Sequence, residues 1–332
     1  MIPTLLSSST VATVQQDRLR GPAVAALFVL VLFVGSACSR SGSNGENCPA
    51  GATIVPIEVT AGDWSYRDRP VVAPLGGVEL PGSVASWADA EVQLAERGDE
   101  GSITDESVPF QLDRLPSSAV VEDTTQLVFL LEGQTAPKES RSYRLCVGGG
   151  DSGSRSASDP DDRVRLAGTE KHEGQESFVV RTDSAEYFYH RWGAGFASLH
   201  DVEGRDWISY NPGVGEESGS GSGGKYRGLP NTGYPEGYAH PGFDTSRTEI
   251  VADGPLRVSL FSESSDGKMQ VRWDVYPEFA RLTVLKMRPP YWFLYEGTPG
   301  GELELQNDYW VRSGTPGRQQ PAAEEWTEDL AG

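Results

Sequence analysis

The sequence is short of cysteine, histidine and positive charge, and it has no apolar run long enough to span a bilayer. Three cysteines and four histidines in 332 residues leave little material for a soft-metal centre. No HExxH, CxxC or EF-hand spacing occurs, so no transition-metal site or cofactor is expected; calcium, which needs only oxygen ligands, stays open. Lys and Arg number 28 against 48 Asp and Glu, and 28 − 48 = −20. Nucleic acid is thereby excluded as a partner, because phosphate binding needs a basic face. An anionic polysaccharide is not, because a local Arg/Lys pocket overrides the global field. The Gly-rich stretch 213–224 lacks a GK[ST] ending and reads as a surface loop rather than a phosphate cradle. Helical periodicity is nearly missing as well, and only residues 85–97 read as a helix.

The longest apolar run, residues 23–34, has twelve residues, against roughly 20 for a spanning helix. Arg18 and Arg20 precede it, and Gly35, Ser36 and Ala37 lead from it to Cys38. A positive segment, a short apolar segment and small residues are the parts of a secretory signal. The cysteine resembles that of a bacterial lipobox, with Gly35 standing where Leu is common. Cys38 is therefore the expected lipidation site, residues 1–38 the signal peptide, and 39–47 a tether. Nothing before Cys38 is expected to belong to the fold. The alternative is a plainly cleaved secreted protein. Either way the chain is extracytoplasmic, and its membrane contact is limited to the lipid.

Setting Cys38 aside leaves Cys48 and Cys146, an even pair in an oxidising compartment. A disulfide there closes a first domain, residues 48–147; two unpaired thiols are the alternative. Residues 148–163 are almost free of apolar side chains and read as a linker. Residues 164–332 form the second domain.

The apolar segments are short, β-branched and separated by Pro and Gly, which indicates strands. In the first domain they fall at 54–59, 108–112, 127–131 and 143–145, the material of a small β-barrel or sandwich. In the second, 178–181 and 187–190 lead into a turn at Gly193 and Gly195. Residues 268–276 alternate strictly, with Met269, Val271, Trp273 and Val275 on one face, and Asp266-Gly267 makes the hairpin turn before them. Residues 280–287, 291–295 and 302–306 continue the series. The fold class is all-β: a small domain, then a large antiparallel sandwich whose second sheet the remaining residues do not complete. A chain that is part of a longer protein is expected.

The densest set of polar and aromatic residues lies at 225–242. It contains Lys225, Tyr226, Arg227, Asn231, Tyr234, Glu236, Tyr238 and His240. Aromatic faces for sugar rings, with cations and amides for carboxylates and hydroxyls, are what a glycan groove requires. Glu296, at the end of an aromatic strand, is a further candidate. His190 follows an aromatic strand and reads as a core histidine.

The motifs GAGFASLHDVEGRDWISYNP, YRGLPN, YPEGYAHPG and YWFLYEGTPGG together resemble a family of secreted bacterial proteins with a galactose-mutarotase-like β-sandwich. The resemblance spans residues 178–329. VPFQLD and SRSYRL resemble the small β-domains that precede such sandwiches. It implies action on polysaccharide or oligosaccharide, since the fold recurs in polysaccharide lyases and glycoside hydrolases. A lyase needs a cation against the uronate carboxylate and a base for the C5 proton. Arg227, Tyr238 and His240 suit those roles, with Asn231 on the carboxylate and Lys225, Tyr226, Tyr234, Glu236 and Glu296 binding substrate. A hydrolase would use two carboxylates, for which Glu236, Glu296 and Asp244 are available. A lyase is favoured; a non-catalytic glycan-binding or scaffold lipoprotein is the competing expectation.

Overall fold

Residues 127–131, LVFLL, are apolar without alternation, and a strand of that kind has both faces covered. The computed structural model places it so, between two cores. The structure describes residues 48, 51–63, 65–98, 102–105, 108–120, 124–148, 162–173, 175–208, 246–287 and 306–307, and the backbone of four short strands outside these ranges.

Nine strands make the first half: β1 (Val11–Val14), β2 (Phe28–Leu32), β3 (Thr53–Thr60), β4 (Tyr66–Pro74), β5 (Glu91–Arg97), β6 (Ile103–Asp105), β7 (Phe110–Arg114), β8 (Thr125–Thr135) and β9 (Ser140–Gly148). Ten follow: β10 (Val164–His172), β11 (Gln175–Thr182), β12 (Ala185–His190), β13 (Gly195–Asp201), β14 (Asn231–Thr232), β15 (Ser246–Asp253), β16 (Val258–Ser264), β17 (Met269–Val275), β18 (Ala280–Met287) and β19 (Phe293–Leu294). Every pairing among the described residues is antiparallel. One 3-10 turn, Ser117–Ala119, is the only helical element among the described residues. The fold is all-β.

In the first half the sheet β1-β2-β3-β9-β5-β6 packs on the sheet β4-β8-β7. Val55, Ile57, Val59, Leu94, Tyr143 and Leu145 meet Val71, Leu127, Phe129 and Leu131 in one core. Cys48 and Cys146 are disulfide-bonded, with Cα atoms 5.6 Å apart, inside the usual range. Residues 85–97 are not the expected helix: 91–97 form β5, paired residue for residue with β9. Val92 and Leu94 face the core, so the cross-strand partner outweighs the helix preference of Ala, Glu and Gln.

Phe28–Leu32 pairs with the outer edge of β3, from Phe28↔Thr60 to Val31↔Ile57. The pairing stops short of Pro56, which has no N–H to donate to a neighbouring strand.

In the second half the sheets β10-β11-β12-β13 and β15-β16-β17-β18 face each other. Phe178, Val180, Tyr187, Tyr189 and Phe196 on one interdigitate with Val258, Leu260, Trp273 and Val275 on the other. The β16–β17 hairpin turns at Asp266-Gly267 as its dipeptide predicts, with Gly267 at φ 65° and its N–H donated to Ser264 O.

The other face of β8 and β4 joins the two halves. Val72, Val128 and Leu130 pack against Leu256, Tyr276 and Phe279. Around this apolar patch runs a buried polar seam. Gln111 Oε1 accepts from Leu256 N and Arg257 N, at 3.0 and 2.9 Å. Arg257 Nε donates to Asp113 at 2.8 Å, and Arg272 Nη1 to the carbonyl of Ala119 at 2.6 Å. Asp274, with no exposed surface, accepts from Ser259, Arg272 and Arg281. Burial alone would raise its pKa, but Arg257, Arg272 and Arg281 outweigh burial and hold it below the usual carboxylate range.

Candidate functional site

Strand parity sorts the β10–β13 sheet into two faces. Phe178, Tyr187, Tyr189 and Phe196 occupy the core face. The opposite face carries Val179, Phe188 and Ser198, aligned by the pairs Val179↔Phe188 and Phe188↔Ser198. It also carries His190 opposite Ser177 and His200 opposite Glu186. His172 reaches it from the end of β10. Three of the four histidines of the chain are therefore gathered on one sheet surface, although they are spread over 29 positions of sequence.

Turns fix their heights. Glu173, at φ 45°, turns β10 into β11. The β12–β13 turn closes with Gly193 N and Ala194 N both donating to His190 O. After β13, Asp201 Oδ1 accepts from the N–H groups of Glu203 and Arg205. That Asx turn brings the chain back so that Asp206 bridges His200.

His172 stacks on Phe188, with centroids 3.9 Å apart and planes 18° from parallel. Its Nε2 lies 2.7 Å from Ser198 Oγ. His200 sits 6.0 Å away edge-on, and its Nε2 is 3.9 Å from Asp206 Oδ2. Asp206 is itself held by Leu199 N and Ile208 N, both donating to Oδ1. Burial lowers the pKa of His172, and the neighbouring His200 lowers it further, against the opposing pull of Glu173. The ring is neutral near pH 7. Ser198 is 1% exposed, so substrate does not reach its hydroxyl, and its part is to hold the imidazole. His190, fully buried as its strand position implies, has its pKa pushed by burial down to about 4.

Two tryptophans flank this sheet and remain partly open to solvent, Trp192 at 38% and Trp207 at 41%. Arg191 stacks over Trp192 at 5.2 Å. Trp207 Nε1 donates to Asp201 Oδ2 at 3.0 Å. The described residues bracketing 209–245 are both tied to this region. Ile208 N binds Asp206, and Ser246 N donates to Trp192 O.

Among the residues expected from sequence, Lys225, Tyr226, Arg227, Tyr234, Glu236, Tyr238, His240 and Glu296 lie outside the described residues, as does Cys38. Asn231 is placed only by its backbone, in register with Leu294. His172 and His200 were not among the sequence candidates. The signal available was their rarity: four histidines in the chain, three of them on neighbouring strands. No group of side chains suited to a metal ion occurs among the described residues, and no helix there is long and apolar enough to cross a membrane. Comparison with known families, with curated proteins and with solved structures finds no match to this chain.

Proposed function

We propose that this chain is an exported protein, lipid-anchored through Cys38, that acts on polysaccharide as a lyase on a uronate-containing glycan. The observation that carries the reading is His172, a neutral and partly exposed imidazole bonded to Ser198. Two tautomers fit that bond. In the one that donates from Nε2 to Ser198, Nδ1 keeps its lone pair and is a base for a C5 proton. Arg227, Tyr238 and His240 remain sequence candidates for the cation and the base of the same chemistry. The Cys48–Cys146 disulfide supports an oxidising compartment, and the antiparallel sandwich supports kinship with the galactose-mutarotase-like family.

A second reading, a non-catalytic glycan-binding lipoprotein, is favoured by Trp192 and Trp207, whose exposed rings are stacking platforms for sugars. The full-length protein incubated with a panel of uronate polysaccharides separates the two. A lyase generates the ultraviolet band of an unsaturated uronate, and His172→Ala abolishes it while leaving the circular dichroism unchanged. Retention in a polysaccharide affinity gel without any such band on any substrate establishes the second reading and removes the first.

A further inference from the structure

The buried seam between the two halves carries more positive than negative charge, which is unexpected in a chain of net charge −20. Arg257 pairs with Asp113, while Arg272 and Arg281 share Asp274. Arg69 is the fourth guanidinium, so among the described residues four cations face two carboxylates, 4 − 2 = +2. Arg69 makes no ion pair with any described residue. Its guanidinium lies 4.6 Å from the Phe279 ring centroid and 5.7 Å from that of Tyr66. Burial lowers its pKa, and Arg281 lowers it further, with only the phenols of Tyr66 and Tyr276 opposing. A desolvated cation beside a like charge is a cost that the fold retains.

Unused donors surround the same spot. Arg281 Nη2 is engaged by Asp274 and by Tyr276 Oη, at 3.0 and 2.9 Å, but its Nε is buried without a partner. The hydroxyl of Tyr66 is likewise buried and unpaired. Yet Tyr66, Arg69, Phe279 and Arg281 each keep part of their surface open, so the cluster is not wholly sealed from solvent. Two guanidinium groups and a phenol with unspent hydrogen-bond donors, lined by aromatic rings, are complementary to a planar oxyanion on a sugar.

We infer that Arg69, Arg281 and Tyr66 form a site at the seam for the oxyanion of an acidic glycan, a carboxylate or a sulfate ester. This names the substrate class of the polysaccharide proposed above and rests on that reading for its occupant. Position supports it further. The site draws Arg69 and Tyr66 from β4 and Arg281 and Phe279 from the other half of the chain, so an anion there also relieves repulsion across the junction.

Calorimetric titration of the full chain with a uronic-acid tetrasaccharide, its carboxyl-reduced neutral counterpart and a sulfated galactan tetrasaccharide tests the site. Arg69→Gln and Tyr66→Phe leave the Asp113 and Asp274 pairs untouched. The expected result is saturable binding of one acidic probe, none of the neutral one, and a loss of about tenfold or more in Arg69→Gln. Tyr66→Phe should weaken binding by a smaller factor, and without ligand neither variant should melt below wild type, since each removes an uncompensated group. Equal affinity of wild type and Arg69→Gln for the acidic probe overturns the site and leaves the polysaccharide reading standing. If no glycan binds, but inorganic sulfate raises the melting temperature of wild type and not of Arg69→Gln, the anion site stands and its glycan occupant is overturned. Absence of both effects overturns the site altogether.

Discussion

Arg257 and Asp113, 144 positions apart in sequence, are joined by a buried hydrogen bond of 2.8 Å from Nε to Oδ2. Arg257 has no exposed surface and Asp113 only 5%. Breaking one side of such a pair strands the other charge, whereas replacing both with apolar groups removes the desolvation problem. Asp113→Asn is therefore expected to lower the unfolding free energy by about 3 to 5 kcal/mol. Arg257→Met combined with Asp113→Leu should recover much of that loss. Urea denaturation of Asp113→Asn, and of Arg257→Met, Asp113→Leu and their double variant read as a double-mutant cycle, checks it.

Gly254 is constrained by the same seam. A Cβ placed on it would lie 2.4 Å from Gln111 Cδ, and Gln111 is held there by the N–H groups of Leu256 and Arg257 and by the carbonyl of Arg257. The side chain has nowhere to retreat without giving up those bonds. Gly254→Ala is expected to cost about 1 to 3 kcal/mol. Adding Gln111→Ala to it should give less than the sum of the single losses, since the clash then has no target. Chemical denaturation at fixed pH measures both.

His190 predicts how stability responds to acid. Its pKa is depressed in the folded protein to about 4, against 6.5 when unfolded. Between those values the unfolded chain binds a proton that the folded chain does not. The contribution is thus fully present above pH 6.5 and is lost as pH falls toward 4, by about 3 kcal/mol at most. The unfolding free energy of wild type should fall more steeply over pH 6.5–4 than that of His190→Asn. Parallel slopes for the two would contradict the assignment.

The Cys48–Cys146 disulfide closes a loop with a sequence separation of 98. Loop-closure entropy at that length corresponds to about 4.7 kcal/mol. Cys48→Ser with Cys146→Ser should lose about 2 to 5 kcal/mol, and thiol titration of denatured, unreduced protein lacking residues 1–38 should detect no free sulfhydryl. The first measurement tests the energetics and the second the pairing.

The strands that were legible in the sequence are those with a buried face and β-branched or aromatic residues. β3, β8, β16 and β17 are of this kind; Met269, Val271, Trp273 and Val275 are buried as the alternation implies, but Arg272 and Asp274 on the opposite face are buried as well. β10 was not legible, because most of its residues are at least partly exposed and polar, RLAGTEKH, at the edge of its sheet. β5 read as helix because Ala, Glu, Gln and Leu suit a helix when no partner strand is in view. The candidate site was less legible still. His172 and Ser198 touch only because two bulges and three turns set the register of four strands.

By itself the sequence determined the all-β architecture, its hairpin at Asp266-Gly267 and the even cysteine pair, since each follows from short-range chemistry of neighbouring residues. The tertiary structure alone decided which charges meet. Arg69, Asp113, Arg257, Asp274 and Arg281 carry no pattern along the chain that links them. They are brought together because β8 buries Leu127, Phe129 and Leu131 in one core and Val128 and Leu130 in another. Covering both faces of that one strand is what presses the two halves together and takes their polar rims out of water.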